Sequence, residues 1–146
     1  DGMFILLERG KRNMKFKGDI IVTDPCYICK DDDWSKSNYG DDMNKLGITN
    51  YICRDTIYGD WSCTTFNTDT NEAIGEFCAD AGMVGVFLLD EVLKYNPDFN
   101  YHIERPWTTT LIKNFDGDVN FEINEYDEVE VIGRGNINFI GIQTSL

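Results

Sequence analysis

The sequence has no apolar run near the ~20 residues a helix needs to cross a bilayer, which excludes a membrane-spanning helix. Basic charge is scarce: 13 lysines and arginines stand against 26 aspartates and glutamates, for a net charge of −13. Phosphate binding needs clustered cations, so direct contact with nucleic acid is not expected, nor is attraction to an anionic membrane surface. A basic protein partner, a cation or a small ligand stays open. Histidine is represented by His102 alone. Five cysteines are present, Cys26, Cys29, Cys53, Cys63 and Cys78, and only Cys26 and Cys29 have Cys-x-x-Cys spacing. Residues three apart on a strand point to opposite faces. With no second pair and no nearby histidine, neither a metal site nor a cofactor is expected. An odd cysteine count without a secretion signal points to reduced thiols in a cytoplasm, most of them small core residues.

Linkers, repeats and low-complexity tracts are also missing, so the chain reads as one domain. Apolar residues make up 42% of it, enough to bury a core and to argue against disorder. Near the start, Met3 to Leu7 is apolar, but a charged block from Glu8 to Lys17 follows where a signal peptide would carry a small-residue cleavage site. Glu8-Arg9-Gly10 back-translates most simply to a purine-rich run like a bacterial ribosome-binding site, a short distance before Met14. Residues 1–13 therefore read as a translated leader or flexible segment, and 14–146 as a single globular domain.

Apolar patterning predicts mostly strands. Asp19 to Val22, between Gly18 and Asp24-Pro25, reads as a buried strand. Asp31 to Trp34 opens a short helix broken at Gly40, with another turn over Asp41 to Leu46. Ile57-Tyr58, Ser62 to Phe66, Ala73 to Cys78 and Met83 to Leu89 read as strands; Asp90 to Tyr95 reads as a helix stopped by Asn96-Pro97. In the last forty or so residues, Thr108–Phe115 and Val119–Ile123 flank Asp116-Gly117-Asp118 as a hairpin. Val129–Ile132 and Asn136–Ile140 flank Gly133-Arg134-Gly135 as a second. The expected fold is β-dominated α+β: an antiparallel sheet of hairpins curled into a small barrel or sandwich, with one or two short helices.

Three places carry possible chemistry. In Thr23-Asp24-Pro25-Cys26-Tyr27-Ile28-Cys29, Asp24 and Pro25 shape a turn at a strand end, and Cys26 is either a core residue or a nucleophile. Cys78-Ala79-Asp80-Ala81-Gly82 is either a bend at a sheet rim or the lining of a ligand cleft, since glycine lets a ligand approach the backbone. Oxygen-rich Asn67 to Glu72 and Asp116 to Asp118 do not match a calcium loop and read as turns. In the C-terminal third, Val119, Phe121 and Ile123 alternate with Asn120 and Glu122. Glu122 and Glu130 then share an outer wall with Glu125, Asp127 and Glu128 in the loop between. Like charges opposed on a sheet destabilise it by up to ~1 kcal/mol per pair, so such a wall does not arise to stabilise the fold. It is either an ordinary solvated surface or a mimic of nucleic-acid phosphates.

The blocks "VTDPCYI", "FCADAGMVGVFLLDEV" and "GNINFIGIQTSL" resemble those of small uncharacterised proteins from low-GC bacteria and their phages. Those proteins pair an Asp-Pro-Cys-Tyr strand end with an Asp-Ala-Gly block and a Gln-Thr-Gly-Leu-like ending; here the ending is Gln143-Thr144-Ser145-Leu146. The resemblance covers about residues 14–146. It brings no activity, but places Asp24, Cys26, Tyr27, Asp80 and Gly82 in recurring blocks and implies a phage or prophage setting. The expected function is a non-enzymatic acidic binding protein, host-directed, engaging a basic protein partner through Glu122, Glu125, Asp127, Glu128 and Glu130. The alternative is a small-molecule-binding protein or hydrolase. Its catalytic groups would be Cys26, Asp24 and Asp80, with Tyr27 and Gly82 binding the ligand in a cleft between the Asp24–Cys26 turn and the Asp80–Gly82 bend.

Overall fold

The computed structural model describes residues 13–56, 61–105 and 107–144. Eight strands follow in chain order: β1 (Asn13–Thr23), β2 (Tyr51–Asp55), β3 (Ser62–Asn67), β4 (Glu72–Cys78), β5 (Met83–Leu88), β6 (Thr109–Ile123), β7 (Val129–Gly135) and β8 (Phe139–Thr144). They form one sheet in the order β2-β5-β1-β6-β7-β8-β3-β4. Every strand pair in it is antiparallel. Among the described residues three short helices accompany it: α1 (Asp33–Lys36), α2 (Leu89–Tyr95) and α3 (Asn100–Ile103). Single 3-10 turns lie at Pro25–Tyr27, Met43–Leu46 and Pro97–Phe99. The fold is thus β-dominated α+β, and its sheet is a curled half-barrel. Among the described residues no helix is long and apolar enough to cross a membrane. The expected strand at Ile57-Tyr58 lies outside the described residues, as does the proposed leader apart from Asn13.

The curl brings the last strand in the order, β4, back toward β6. Cys78 N–H donates to Trp107 O at 3.0 Å. A Cβ added to Gly75 would lie 3.1 Å from the Thr110 side chain, so glycine lets the two strands approach.

Both faces of the β2-β5-β1 half are buried, and this explains its unbroken apolar runs. Ile20, Val22, Ile52, Val84 and Val86 point into the curl, where they meet Phe77, Phe115, Phe121 and Phe139. The alternating residues Ile21, Cys53, Met83 and Phe87 point the other way, onto Ile28, Met43, Leu89, Val92 and Phe99. The second group comes from the helices and turns, so the helical segments cover one flank of the sheet.

Two turn assignments from the sequence are corrected. Asp116-Gly117-Asp118 is not a turn; it lies inside β6, a continuous strand of 15 residues. Its aspartates stand opposite Lys17 and Lys15 of β1, a favourable cross-strand arrangement. Consequently β1 does not start at Asp19; it runs back through the lysines to Asn13, with a register shift between Gly18 and Ile20. Gly133-Arg134-Gly135 is also strand, and the chain reverses at 136–138 instead. The glycines answer to packing: Gly117 pairs with Gly135 across β6 and β7, and the Phe139 ring lies over Gly133. The actual turn between β6 and β7 spans 124–128.

Candidate functional site

Asp24, the residue directly after β1, is fully buried. Its carboxylate accepts three backbone N–H bonds: Cys26 at 2.9 Å on Oδ1, and Ala81 at 2.8 Å and Met83 at 3.2 Å on Oδ2. One oxygen therefore shapes the turn that starts at Pro25, while the other holds the bend leading into β5. The Asp24–Cys26 turn and the Asp80–Gly82 bend, far apart in sequence, are fastened together. Gly82 adopts φ +70 there, a left-handed conformation that glycine takes without strain. Its carbonyl accepts from Thr56 N–H at 2.8 Å and from Thr56 Oγ1 at 3.0 Å. Burial raises the Asp24 pKa, and the N–H donors from Cys26, Ala81 and Met83 offset only part of that rise.

Cys26 is half-buried and belongs to the same cluster. Its thiol is pushed well above the usual range, first by burial and then by the charges of Asp24 and Asp80. Tyr27 is raised too, by burial and by its contact with Asp80, and its hydroxyl donates to Cys78 O at 3.1 Å. The environment that activates a cysteine is electropositive; this one is electronegative. Cys29 is likewise pushed up, to about 11, chiefly by burial. We expect iodoacetamide at pH 8 to alkylate Cys29 in the folded protein at least ~100-fold more slowly than free cysteine, whose pKa is near ~8.5, and Cys26 more slowly still. Peptide mapping after timed quenching measures it, and rapid modification of Cys26 in the native state would contradict the assignment.

A cavity of about 600 Å³ adjoins the cluster at Tyr27 and extends along the segment after α2. Asn96, Asp98, Asn100, Tyr101 and His102 line it with Tyr27. Asp24, Cys26, Asp80 and Gly82 do not. His102 is ringed by aromatics, with centroids 5.3 Å from Tyr27, 5.5 Å from Phe99 and 5.4 Å from Tyr101. Burial and nearby Arg105 lower its pKa, so the imidazole is neutral at pH 7. Its Nδ1 is buried without a hydrogen-bond partner among the described residues. In the sequence Asn96-Pro97 marks a helix stop, and no motif singles out Asn100 or Tyr101. The available signal was a polar and aromatic run following directly on that stop.

The third element is the β6–β7 hairpin. Glu122 stands opposite Glu130 in register. Val119 and Phe121 on β6, and Val129 and Val131 on β7, are buried behind them. Ile123 continues the inward alternation but projects past the end of the core and is 48% exposed. Asn124 organises the tip: its Oδ1 accepts from Tyr126 N–H at 2.9 Å and Glu128 N–H at 3.0 Å. Asp127, at φ +61, completes a tight loop in which Glu125, Tyr126 and Asp127 are exposed. Glu128 accepts from Asn124 Nδ2 at 3.1 Å, and Glu122 from Asn120 Nδ2 at 3.2 Å. Among the described residues no lysine or arginine forms a salt bridge with any of these five carboxylates.

Among the described residues no group of three or more His, Cys, Asp or Glu side chains could hold a metal ion. None of the five cysteines is in a disulfide. Together these features define a class: a small β-dominated protein with a curled antiparallel sheet, helices on one flank and an acidic hairpin at one end. The chain matches no protein-family model, no curated protein and no solved structure.

Proposed function

We propose that this chain is an acidic binding protein of the cytoplasm that engages a basic protein partner through the tip of the β6–β7 hairpin. The observation carrying the reading is the in-register pair Glu122 and Glu130, joined by Glu125, Asp127 and Glu128 with no lysine or arginine in a salt bridge to them among the described residues; Arg134, the cation on that face, bonds to Asn120 instead. The arrangement raises the energy of the free protein, and a cationic partner relieves it. The exposed side chains of Ile123 and Tyr126 sit among the carboxylates and supply the apolar contact that a charged rim lacks. The loop is tied by Asn124, so little ordering is required on binding. Spaced carboxylates on a rigid ribbon suit the groove of a nucleic-acid-binding protein, which makes inhibition by phosphate mimicry the specific form of this function. A phage setting, in which a host protein is the target, agrees with the resemblance of the sequence blocks.

The test uses the full chain as bait in a lysate of a low-GC bacterium, with Glu122→Lys/Glu130→Lys as the paired control. Wild type should retain basic nucleic-acid-binding proteins at 50 mM salt and release them near 500 mM, because exposed charge pairs are screened over a Debye length of ~10 Å at 0.1 M. The variant should fold about as stably, since its opposed lysines repel as the glutamates do but gain Glu125, Asp127 and Glu128 as neighbours, yet retain none of those proteins. Capture that ignores salt, or that the variant keeps, would overturn the reading.

A further inference from the structure

The cavity at Tyr27 is separate from the acidic hairpin and raises its own question of ligand. Its size lies within the roughly 300–1,000 Å³ of small-molecule sites. Its walls are preformed: Asn96 Nδ2 donates to Ile28 O at 3.1 Å, and the Tyr27 hydroxyl is tied to Cys78 O. Arg105 stacks 3.9 Å over the Tyr101 ring and steadies it.

The chemistry of the lining narrows the ligand. Asp98 and the carbonyl oxygens of Asn96 and Asn100 accept hydrogen bonds, while the Asn100 amide, the Tyr101 hydroxyl and the His102 imidazole donate. Among the described residues no lysine or arginine lines the cavity, and Asp98 would repel an anion. Phosphorylated and carboxylated ligands are therefore poor fits. Arg105, held against Tyr101, disfavours a second cation on that ring. What suits both charges is a neutral ligand with many groups that donate and accept together, and with an apolar face to lie on an aromatic ring. A hydroxyl does both, and a pyranose has a ring of hydroxyls around a C–H face.

We propose that the Tyr27–Asn100–His102 cleft is a binding site for a neutral saccharide, seated against the tyrosine rings with its hydroxyls shared among Asn96, Asp98 and Asn100. The site is one of recognition, and the full chain, fluorescently labelled, can be read on an array of neutral, sialylated and sulfated glycans. Hits are then titrated by NMR, with adenosine and spermidine as the competing ligand classes. The expected result is saturable binding of one or more neutral glycans, weakened at least tenfold in both Tyr101→Ala and Asn100→Ala. Both residues are exposed, so the variants should keep the wild-type melting temperature. Binding confined to charged glycans, adenosine or spermidine would overturn the proposal. Absence of any neutral hit, or neutral-glycan binding that survives Tyr101→Ala, would do the same.

Discussion

Replacing Asp24 by alanine should cost about 3–5 kcal/mol, a large share of the roughly 5–15 kcal/mol that holds a domain of this kind together. The carboxylate accepts from Cys26, Ala81 and Met83 N–H in a site with no access to water. Alanine leaves those donors without their partner, at about 1–3 kcal/mol each and less than additively. It also releases the Asp80–Gly82 bend from the turn that follows β1. Urea denaturation of Asp24→Ala and Asp24→Asn measures this, and both should lose stability; asparagine keeps one acceptor but turns an N–H₂ toward backbone donors. A cost below 1 kcal/mol for Asp24→Ala would refute the staple.

The same group has a pH signature. Burial holds the Asp24 pKa above its unfolded value, so the folded state binds the proton more tightly than the unfolded state does. Its contribution is then fully present below the unfolded pKa of about 3.9 and declines as pH rises through the folded pKa. Wild type should therefore exceed Asp24→Asn by most near pH 4 and by less at neutral pH, with a plateau above the folded pKa. A margin that grows with pH would mean that the three N–H bonds outweigh desolvation.

The second large effect belongs to the glycines of the β6–β7 ladder. A Cβ on Gly117 would lie 2.3 Å from Arg134 O, and one on Gly133 would lie 2.0 Å from the Phe139 ring. Backbone in a paired strand cannot step aside as a flexible side chain can. Gly117→Ala should thus cost about 3 kcal/mol, at or above the usual range for overpacking. Gly47 offers the contrast: its φ is +84, with nothing within 4 Å of an added Cβ. Gly47→Ala should cost about 1 kcal/mol, from backbone strain alone. Thermal melts of the two variants side by side separate close approach from conformational strain. If the sequence reading of Asp116-Gly117-Asp118 as a surface turn had been right, Gly117→Ala would be the milder change.

Those glycines also show where local reading fails. A glycine between aspartates looks the same whether it turns the chain or lets another strand approach. The distinction rests on residues elsewhere: Lys15 and Lys17 on β1, Gly135 on β7, and the ring of Phe139. By contrast, the strand over Met83–Leu88, the helix ending before Asn96-Pro97 and the turn at Asp69-Thr70-Asn71 follow from short-range patterns and were legible without coordinates.

The amino-acid order alone determined the β-rich class, the alternation that puts Val119 and Phe121 inside, and the position of Glu122 and Glu130 on an outer wall. These depend on side-chain period and turn chemistry, which act over a few residues. Only the folded chain decided that Asp24 fastens the bend before β5, that Cys26 lies in an electronegative setting, and that His102 meets Tyr27 across a cavity. Each of those depends on segments more than fifty residues apart being brought together. Desolvation and backbone donors then set the chemistry, and neither is written in the letters beside the residue.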